Sequence, residues 1–450
     1  MSEKYDLVVI GGGPGGLAAA EAAATRRVLI VDLNGWGGTC THRGCIPTKA
    51  LLYCSKSYTG LKKLKRLGVN VAGATFDFTG MKKHQQSMIK IAELGAQKML
   101  ADARVEMQKA RAEILSPREV RLSDSSGLNR TVVADNIVIA WGAETQLPPG
   151  INLSSKILTS DSILGLAELP ESMIIVGGSF IGVEYATLFA ELGVKIILLE
   201  LLEGILPAED EEAVELVGQE LTRLGIVVHT STKITALREN ENSVVLQALQ
   251  GGKVLEMRAG CALLCTGRKP LLDRVQLDRL GVQYSSAGIR VNENMRTSVP
   301  SVYAAGDVTG GMMLAHRASC QGRAAVAHML GRKDHVYQEE NIPSVLYSHP
   351  PVARVGYTQK RAAAAGLTVE VVKSSYGASI MARTELLGQG FVKVVFSEDR
   401  IIGATIAGDG AAELIVPVAL AVSCRLTKKQ LGNWVIPHPT LGEIFLPLVH

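Results

Sequence analysis

Tyr5-Asp6-Leu7-Val8-Val9-Ile10-Gly11-Gly12-Gly13-Pro14-Gly15-Gly16 reads as a short buried strand running straight into a glycine turn. An Ala-rich stretch to about Thr25 follows as a helix, and Val28 to Val31 as a second apolar strand ending at Asp32. That is the G-x-G-x-x-G fingerprint in the strand–turn–helix–strand context it requires. Gly11 makes the tight turn, Gly13 lets a pyrophosphate approach the backbone, and Gly16 lets helix pack on strand. Pro14 and Gly15 lie where the helix begins, and its N-terminal N–H groups favour phosphate. Asp32 is placed to accept from ribose hydroxyls.

The pattern occurs twice. Met173 to Val176 leads into Gly177-Gly178-Ser179-Phe180-Ile181-Gly182, a helix to about Leu192, and a strand from Lys195 to Leu199 that ends at Glu200. A carboxylate there holds ribose hydroxyls and repels a 2′-phosphate, and no arginine follows in Leu201-Leu202-Glu203, so NAD is favoured over NADP. Ser179 replaces the middle glycine, where its Cβ and hydroxyl either crowd the pyrophosphate or let the hydroxyl donate to it.

Between the two fingerprints lies Gly37-Gly38-Thr39-Cys40-Thr41-His42-Arg43-Gly44-Cys45-Ile46-Pro47-Thr48-Lys49. Pro47 suits the first turn of a helix. A thiol at a helix N-terminus is expected to ionise readily, and thiolate is the form that attacks disulfides. Lys49 falls one turn past Cys45, on the same face. No second Cys/His pair of suitable spacing accompanies the cysteines, which argues against zinc.

The remaining pattern is less regular. Gly68 to Arg111 reads mostly as helix, Val132 to Ile139 as a strand, Asp210 to Leu224 as an amphipathic helix, and Ile226 to Thr266 as a meander of strands. The last ~110 residues read as strands (Phe391 to Phe396, Ile401 to Ala407) and helices (Ala411 to Cys424, Thr427 to Val435), an α+β arrangement. Composition bounds the function. The 450 residues carry a net charge of only +4, which gives no reason to invoke nucleic acid. No apolar run reaches the ~18 residues a membrane span needs. Seven cysteines, an odd number, favour a reducing, cytoplasmic setting over a paired secreted scaffold. Cys54, Cys261, Cys265, Cys320 and Cys424 read as buried small hydrophobes, and Lys62-Lys63-Leu64-Lys65-Arg66 as a solvated face.

Taken in order, these motifs resemble the class I pyridine-nucleotide–disulfide oxidoreductases, and among them the dihydrolipoamide dehydrogenases. The similarity runs through Cys40–Lys49, Ala140-Trp141-Gly142, Gly177–Glu184, Thr266-Gly267-Arg268-Lys269-Pro270, Tyr303-Ala304-Ala305-Gly306-Asp307, Leu314-Ala315-His316 and His438-Pro439-Thr440-Leu441-Gly442-Glu443. The resemblance implies an α/β fold of two Rossmann-like domains, for FAD and NAD, plus a C-terminal α+β dimerisation domain. The corresponding ranges are 1–150 and 268–338 (FAD and central), 151–267 (NAD) and 339–450 (dimerisation).

The same resemblance implies a homodimer and a Cys40–Cys45 redox disulfide, with Cys45 against the flavin and Cys40 exchanging with substrate. Lys49 is implied near the flavin, paired with Glu184, and Asp307 at the ribitol. Gly38, Thr39, Gly142, Gly267, Leu314 and Ala315 are implied to line the cofactor sites. His438 is implied as the base, oriented by Glu443, reaching the disulfide of the other subunit. The partner implied is a dihydrolipoyl group, on lipoyl domains of a 2-oxoacid dehydrogenase or glycine cleavage complex. Two departures stand out. Thr41-His42-Arg43-Gly44 occupies the place where many lipoamide enzymes carry Leu-Asn-Val-Gly, and Trp141 stands where Thr is common. Arg43 keeps open an NAD(P)H-dependent reductase of a different, anionic disulfide; the other alternative is a non-catalytic flavoprotein subunit of a lipoyl-bearing complex.

Overall fold

The computed structural model describes residues 3–127, 129–333 and 337–449. They form two compact units: Met1–Ala50 with Lys82–Leu147 and Gly267–Glu339, and Leu51–Met81 with Pro148–Thr266 and Glu340–His450. The ranges expected from the sequence include residues 1–2, 128, 334–336 and 450, which lie outside the described residues.

In the first unit, strand Lys4–Ile10 lies parallel to Val28–Asp32 on one side and Asn129–Ile139 on the other. Glu106–Lys109 extends the sheet beyond Val28–Asp32, and Val302–Ala304 pairs parallel with Asn129–Ile139. Leu7, Val8 and Val9 are wholly buried, because a parallel sheet is covered on both faces and its strands read as continuous apolar runs. On one face Leu7, Val9 and Ile30 pack against Ala19 and Ala20 of helix α1 (Pro14–Ala22) and against Ala324–Val326. On the other, Val8, Ile10 and Leu29 pack with Val302, Ala304 and Val308. An antiparallel hairpin, Arg111–Ser116 and Glu119–Ser123, continues from the first half of Asn129–Ile139.

Helices α2 (Gly38–Arg43), α3 (Cys45–Leu64) and α4 (Phe78–Asp102) follow in the chain. The helix expected over Gly68–Arg111 is shorter at both ends. Gly68 and Gly73 take positive φ of 80° and 66°, and Glu106–Lys109 becomes the edge strand. Trp141 packs against the cluster around Ile137 and Ile139, which accounts for its bulk at that junction.

In the second unit the strand order is Val227–His229, Lys195–Leu199, Ser172–Val176, Cys261–Leu264, Ile157–Thr159, all parallel. Helices α5 (Phe180–Glu191) and α6 (Glu211–Arg223) belong to this half. The meander expected over Ile226–Thr266 is a true antiparallel sheet only in its middle, Thr232–Glu239, Val244–Gln250 and Lys253–Ala259. Its first and last strands join the parallel sheet instead. The C-terminal part is a five-stranded antiparallel sheet, ordered Ser344–Leu346, Val352–Gly356, Arg400–Ala407, Phe391–Ser397, Glu370–Ser375. Helix Ala411–Ser423 packs on it through Ile415 and Val418. The helix expected over Thr427–Val435 is a single turn, Lys428–Leu431, ended at Gly432.

Candidate active site

The first glycine turn is built by close approach. Gly11 has φ 118°, and a Cβ there would lie 2.1 Å from the Ala140 carbonyl oxygen. A Cβ on Gly16 would lie 1.9 Å from the Gly11 oxygen. These contacts admit no side chain, so both glycines are steric necessities. At Gly13 the nearest atom to such a Cβ is the Gly38 Cα, 4.0 Å away, which leaves open room in front of the helix N-terminus. Gly15 instead faces Ala305 and Ala318, so its place is explained by packing of α1 on helix Ala315–Met329. Asp32 holds the turn by accepting from the Gly12 and Asn34 N–H groups, both at 2.6 Å. Gly37 N–H donates to the Gly12 carbonyl at 2.7 Å, which ties the dithiol segment to the same turn.

The second turn repeats this geometry. A Cβ on Gly177 (φ 112°) would lie 2.3 Å from the Cys265 oxygen, and one on Gly182 would lie 1.8 Å from the Gly177 oxygen. Glu200 accepts from Gly178 N–H at 2.6 Å and Leu202 N–H at 2.8 Å, matching Asp32. Ser179 is exposed and caps α5 at φ −88°, ψ −168°, close to Gly13 at φ −76°, ψ 179°. The backbone at this position asks for no positive φ, so serine fits without strain.

Cys40 lies in α2 and Cys45 opens α3, with Gly44 between the two helices. Both stand as thiols, and they share a hydrogen bond that, together with burial, pushes the Cys40 thiol up; Lys49 pulls the other way. Thr39 is half-buried in the same short helix. His42 Nε2 lies 3.1 Å from the Trp36 carbonyl, while Arg43 is exposed and forms no ion pair among the described residues.

Further along the unit, Gly142 and Gly267 take φ of 78° and 104° where strands Ala143–Thr145 and Arg268–Pro270 pair. Asp307 is half-buried; burial raises its pKa against the opposing pull of Arg268 and Arg317. Leu314 is the N-cap and Ala315 the first residue of helix Ala315–Met329. The open cradle at Gly13, this second helix N-terminus, and a carboxylate ready for a hydroxyl donor fit a dinucleotide with a polyol chain. Two residues escape sequence reasoning. Gln321 accepts from Gly306 N–H at 2.8 Å and so positions Asp307, and Arg317 is buried with Nη1 lacking a partner among the described residues. Only their place in the helix just after Leu314-Ala315-His316 could have signalled them.

In the second unit, His438 Nδ1 lies 2.9 Å from Glu443 Oε1. The His438 side chain is 75% exposed. Glu443 Oε2 also accepts from Thr440 N–H at 3.0 Å, and these two hydrogen bonds hold its carboxyl below the usual range. A proton on Nδ1 leaves Nε2 as a solvent-facing acceptor, the arrangement a general base needs. Glu184, on α5, is buried and accepts from Tyr347 N–H at 3.0 Å. Among the remaining cysteines Cys261 and Cys265 are buried, whereas Cys424 is exposed at the end of its helix and is not the core residue expected.

Residues 5–322 match the family described as pyridine nucleotide-disulphide oxidoreductase, and residues 342–448 match the dimerisation domain of that family. A protein of Chlorobaculum parvum named dihydrolipoyl dehydrogenase is 37% identical over 448 residues, covering 98% of this chain and 96% of its own. One of the same name from Bacillus subtilis is 34% identical, covering 97% and 96%. The crystal structure of LpdA from Mycobacterium tuberculosis superposes with a TM-score of 0.93 at 25% identity over 99% of both chains.

Proposed function

The chain belongs to the pyridine nucleotide-disulphide oxidoreductase family, and on that premise we propose that it is an FAD-dependent dihydrolipoamide dehydrogenase. It would reoxidise dihydrolipoyl groups with NAD through a Cys40–Cys45 disulfide. The observation that carries the reading is the hydrogen-bonded Cys40–Cys45 thiol pair at the α2–α3 junction, tied through Gly37 to the first nucleotide turn. We assign 1–150 and 268–338 to FAD binding and the central part, 151–267 to NAD, and 339–450 to dimerisation. The protein is a homodimer, and its lipoyl partner would come from a 2-oxoacid dehydrogenase or glycine cleavage complex. Among the described residues no helix is long and apolar enough to cross a membrane; a cytoplasmic setting belongs to this proposal.

The FAD site would comprise Gly11, Gly13, Pro14, Gly15, Gly16, Asp32, Gly38, Thr39, Lys49, Gly142, Asp307, Leu314 and Ala315. Gly177, Gly178, Ser179, Gly182, Glu200 and Gly267 would hold NAD. Bound flavin supplies two-electron transfer between the reduced dithiol and NAD.

The chain's own residues do the sulfur chemistry. A substrate thiolate attacks Cys40 Sγ, the Cys40–Cys45 bond breaks, and Cys45 leaves as thiolate. The second substrate sulfur then displaces Cys40, closing the cyclic disulfide and leaving both electrons on the dithiol. His438 Nε2 accepts the proton from the substrate thiol, and Glu443 steadies the resulting imidazolium. In this reading each His438–Glu443 pair serves the dithiol of the other protomer. Lys49, one turn past Cys45, places positive charge beside the pair, and Glu184 is its assigned counter-ion.

Arg43, exposed between the two cysteines, supports the second reading, a reductase of an anionic disulfide. Anaerobic mixing of FAD-loaded protein with dihydrolipoamide and NAD distinguishes them. NADH formation supports the first reading. A flavin reduced by NADH in protein that gives no lipoamide turnover supports the second.

A further inference from the structure

Beyond the family's assigned site residues, one connection in the second unit remains functionally unexplained. The loop from Glu200 to α6 is pinned at both ends. At its start, Glu200 holds Gly178 and Leu202 as described. In its middle, Leu206 N–H donates to the Gly178 carbonyl at 2.9 Å. Leu206 is buried and sits at φ 49°, a left-handed backbone conformation that leucine disfavours. Glu209 N–H donates back to the Leu206 carbonyl at 3.0 Å. Strained backbone of this kind persists only where its surroundings over-determine it.

What holds the far end is a pair of buried charges on the C-terminal sheet. Glu209 accepts from Arg354 Nε at 3.1 Å and Nη2 at 3.3 Å, and from Ser344 Oγ at 3.3 Å. The Glu209 and Arg354 side chains are 2% and 6% exposed. Next to them, Asp210 caps α6 and accepts from Lys393 Nζ at 2.9 Å. Truncating one partner of a buried pair leaves an uncompensated charge, so neither end can be lost without the loop moving.

We propose that Arg354 is a positioning residue for the NAD turn. It acts through Glu209 and the strained Leu206 to hold Gly178, and so the floor of the Gly177–Gly182 turn, at the height the dinucleotide requires. The proposal rests on the reading of Gly177–Glu200 as the NAD site. It assigns to the segment that matches the dimerisation domain a second task, in nucleotide affinity.

The test is calorimetric titration of NAD, and separately of ADP-ribose, into FAD-loaded wild-type protein and the variants Glu209→Gln and Arg354→Met. Glu209→Gln is isosteric and remains informative where Arg354→Met fails to fold. Both ligands are expected to weaken about tenfold in the variants, a factor within the range of mutational effects on coupled sites. The rate of flavin reduction by dihydrolipoamide stays within about twofold of wild type, and saturating NAD restores kcat, so KM alone carries the loss. Unchanged NAD affinity in the variants overturns the inference, as does a parallel fall in the dithiol-driven reduction. Wild-type protein that binds no NAD overturns the nucleotide reading, and this inference with it.

Discussion

Replacing Gly182 by alanine is the sharpest perturbation of the proposed NAD turn. The new Cβ would stand 1.8 Å from the Gly177 carbonyl oxygen and 3.0 Å from its carbon, where ordinary contact begins at 3.4 Å. Both obstacles are backbone, so no side chain can step aside. The first turn of α5 must retreat by about 1.5 Å, and overpacking of this kind costs about 1–3 kcal/mol. Displacement of a binding element by ~1 Å can cost ~100-fold in turnover. NADH production from dihydrolipoamide is therefore expected to fall about 100-fold. Reduction of bound flavin by dihydrolipoamide in the absence of NAD should fall far less, since that step uses the other unit's cysteines and only Glu184 from α5. Stopped-flow absorbance separates the two. A Gly182→Ala protein whose NAD affinity stays within about threefold of wild type would refute the steric argument.

The remaining predictions use other parts of the chain. Ser179→Gly should leave NAD affinity unchanged by titration, because φ −88° needs no glycine; a large gain would show that the serine does crowd the pyrophosphate. His438→Ala should keep FAD but lose most lipoamide turnover, about 100-fold or more for a general base; undiminished turnover removes His438 from the mechanism. Arg43→Val should depress activity toward glutathione disulfide more than toward lipoamide, and equal changes argue against steering by charge. Asp307→Asn bears on pH. Burial raises the folded carboxyl above its ordinary 3.8, so its ionised form opposes folding once pH exceeds that value. The flavin-free variant should thus melt higher than wild type at pH 7, with the gap closing as pH falls to about 4. Faster FAD release from the variant should accompany it, and an unchanged Tm at neutral pH would contradict the burial argument.

The two nucleotide folds were legible because their determinants are local. A strand, a glycine turn, a helix and an acidic strand end sit within about 30 residues, and Gly11, Gly16, Gly177 and Gly182 each answer a contact with backbone a few residues or one strand away. His438 and Glu443 were legible as a pair through the family resemblance, and one short turn converts their spacing into a hydrogen bond. Determinants set by distant packing were not. Alternation in Ile226–Thr266 could not say which strands pair in parallel with Ser172–Val176. The helix expected from Gly68 begins only at Phe78; Gly68 and Gly73 take positive φ, and Val69 and Val71 are exposed. Glu209 and Arg354 are 145 residues apart in sequence, and nothing in either neighbourhood announces the other.

The central claim is that electrons pass from a dihydrolipoyl group through Cys40–Cys45 to NAD. Anaerobic mixing of the FAD-loaded dimer with dihydrolipoamide and NAD, recording NADH and flavin absorbance together, tests it most directly. The account predicts rapid NADH formation in wild type and none in Cys40→Ser. A wild-type protein whose flavin is reduced by NADH but never by dihydrolipoamide would contradict it.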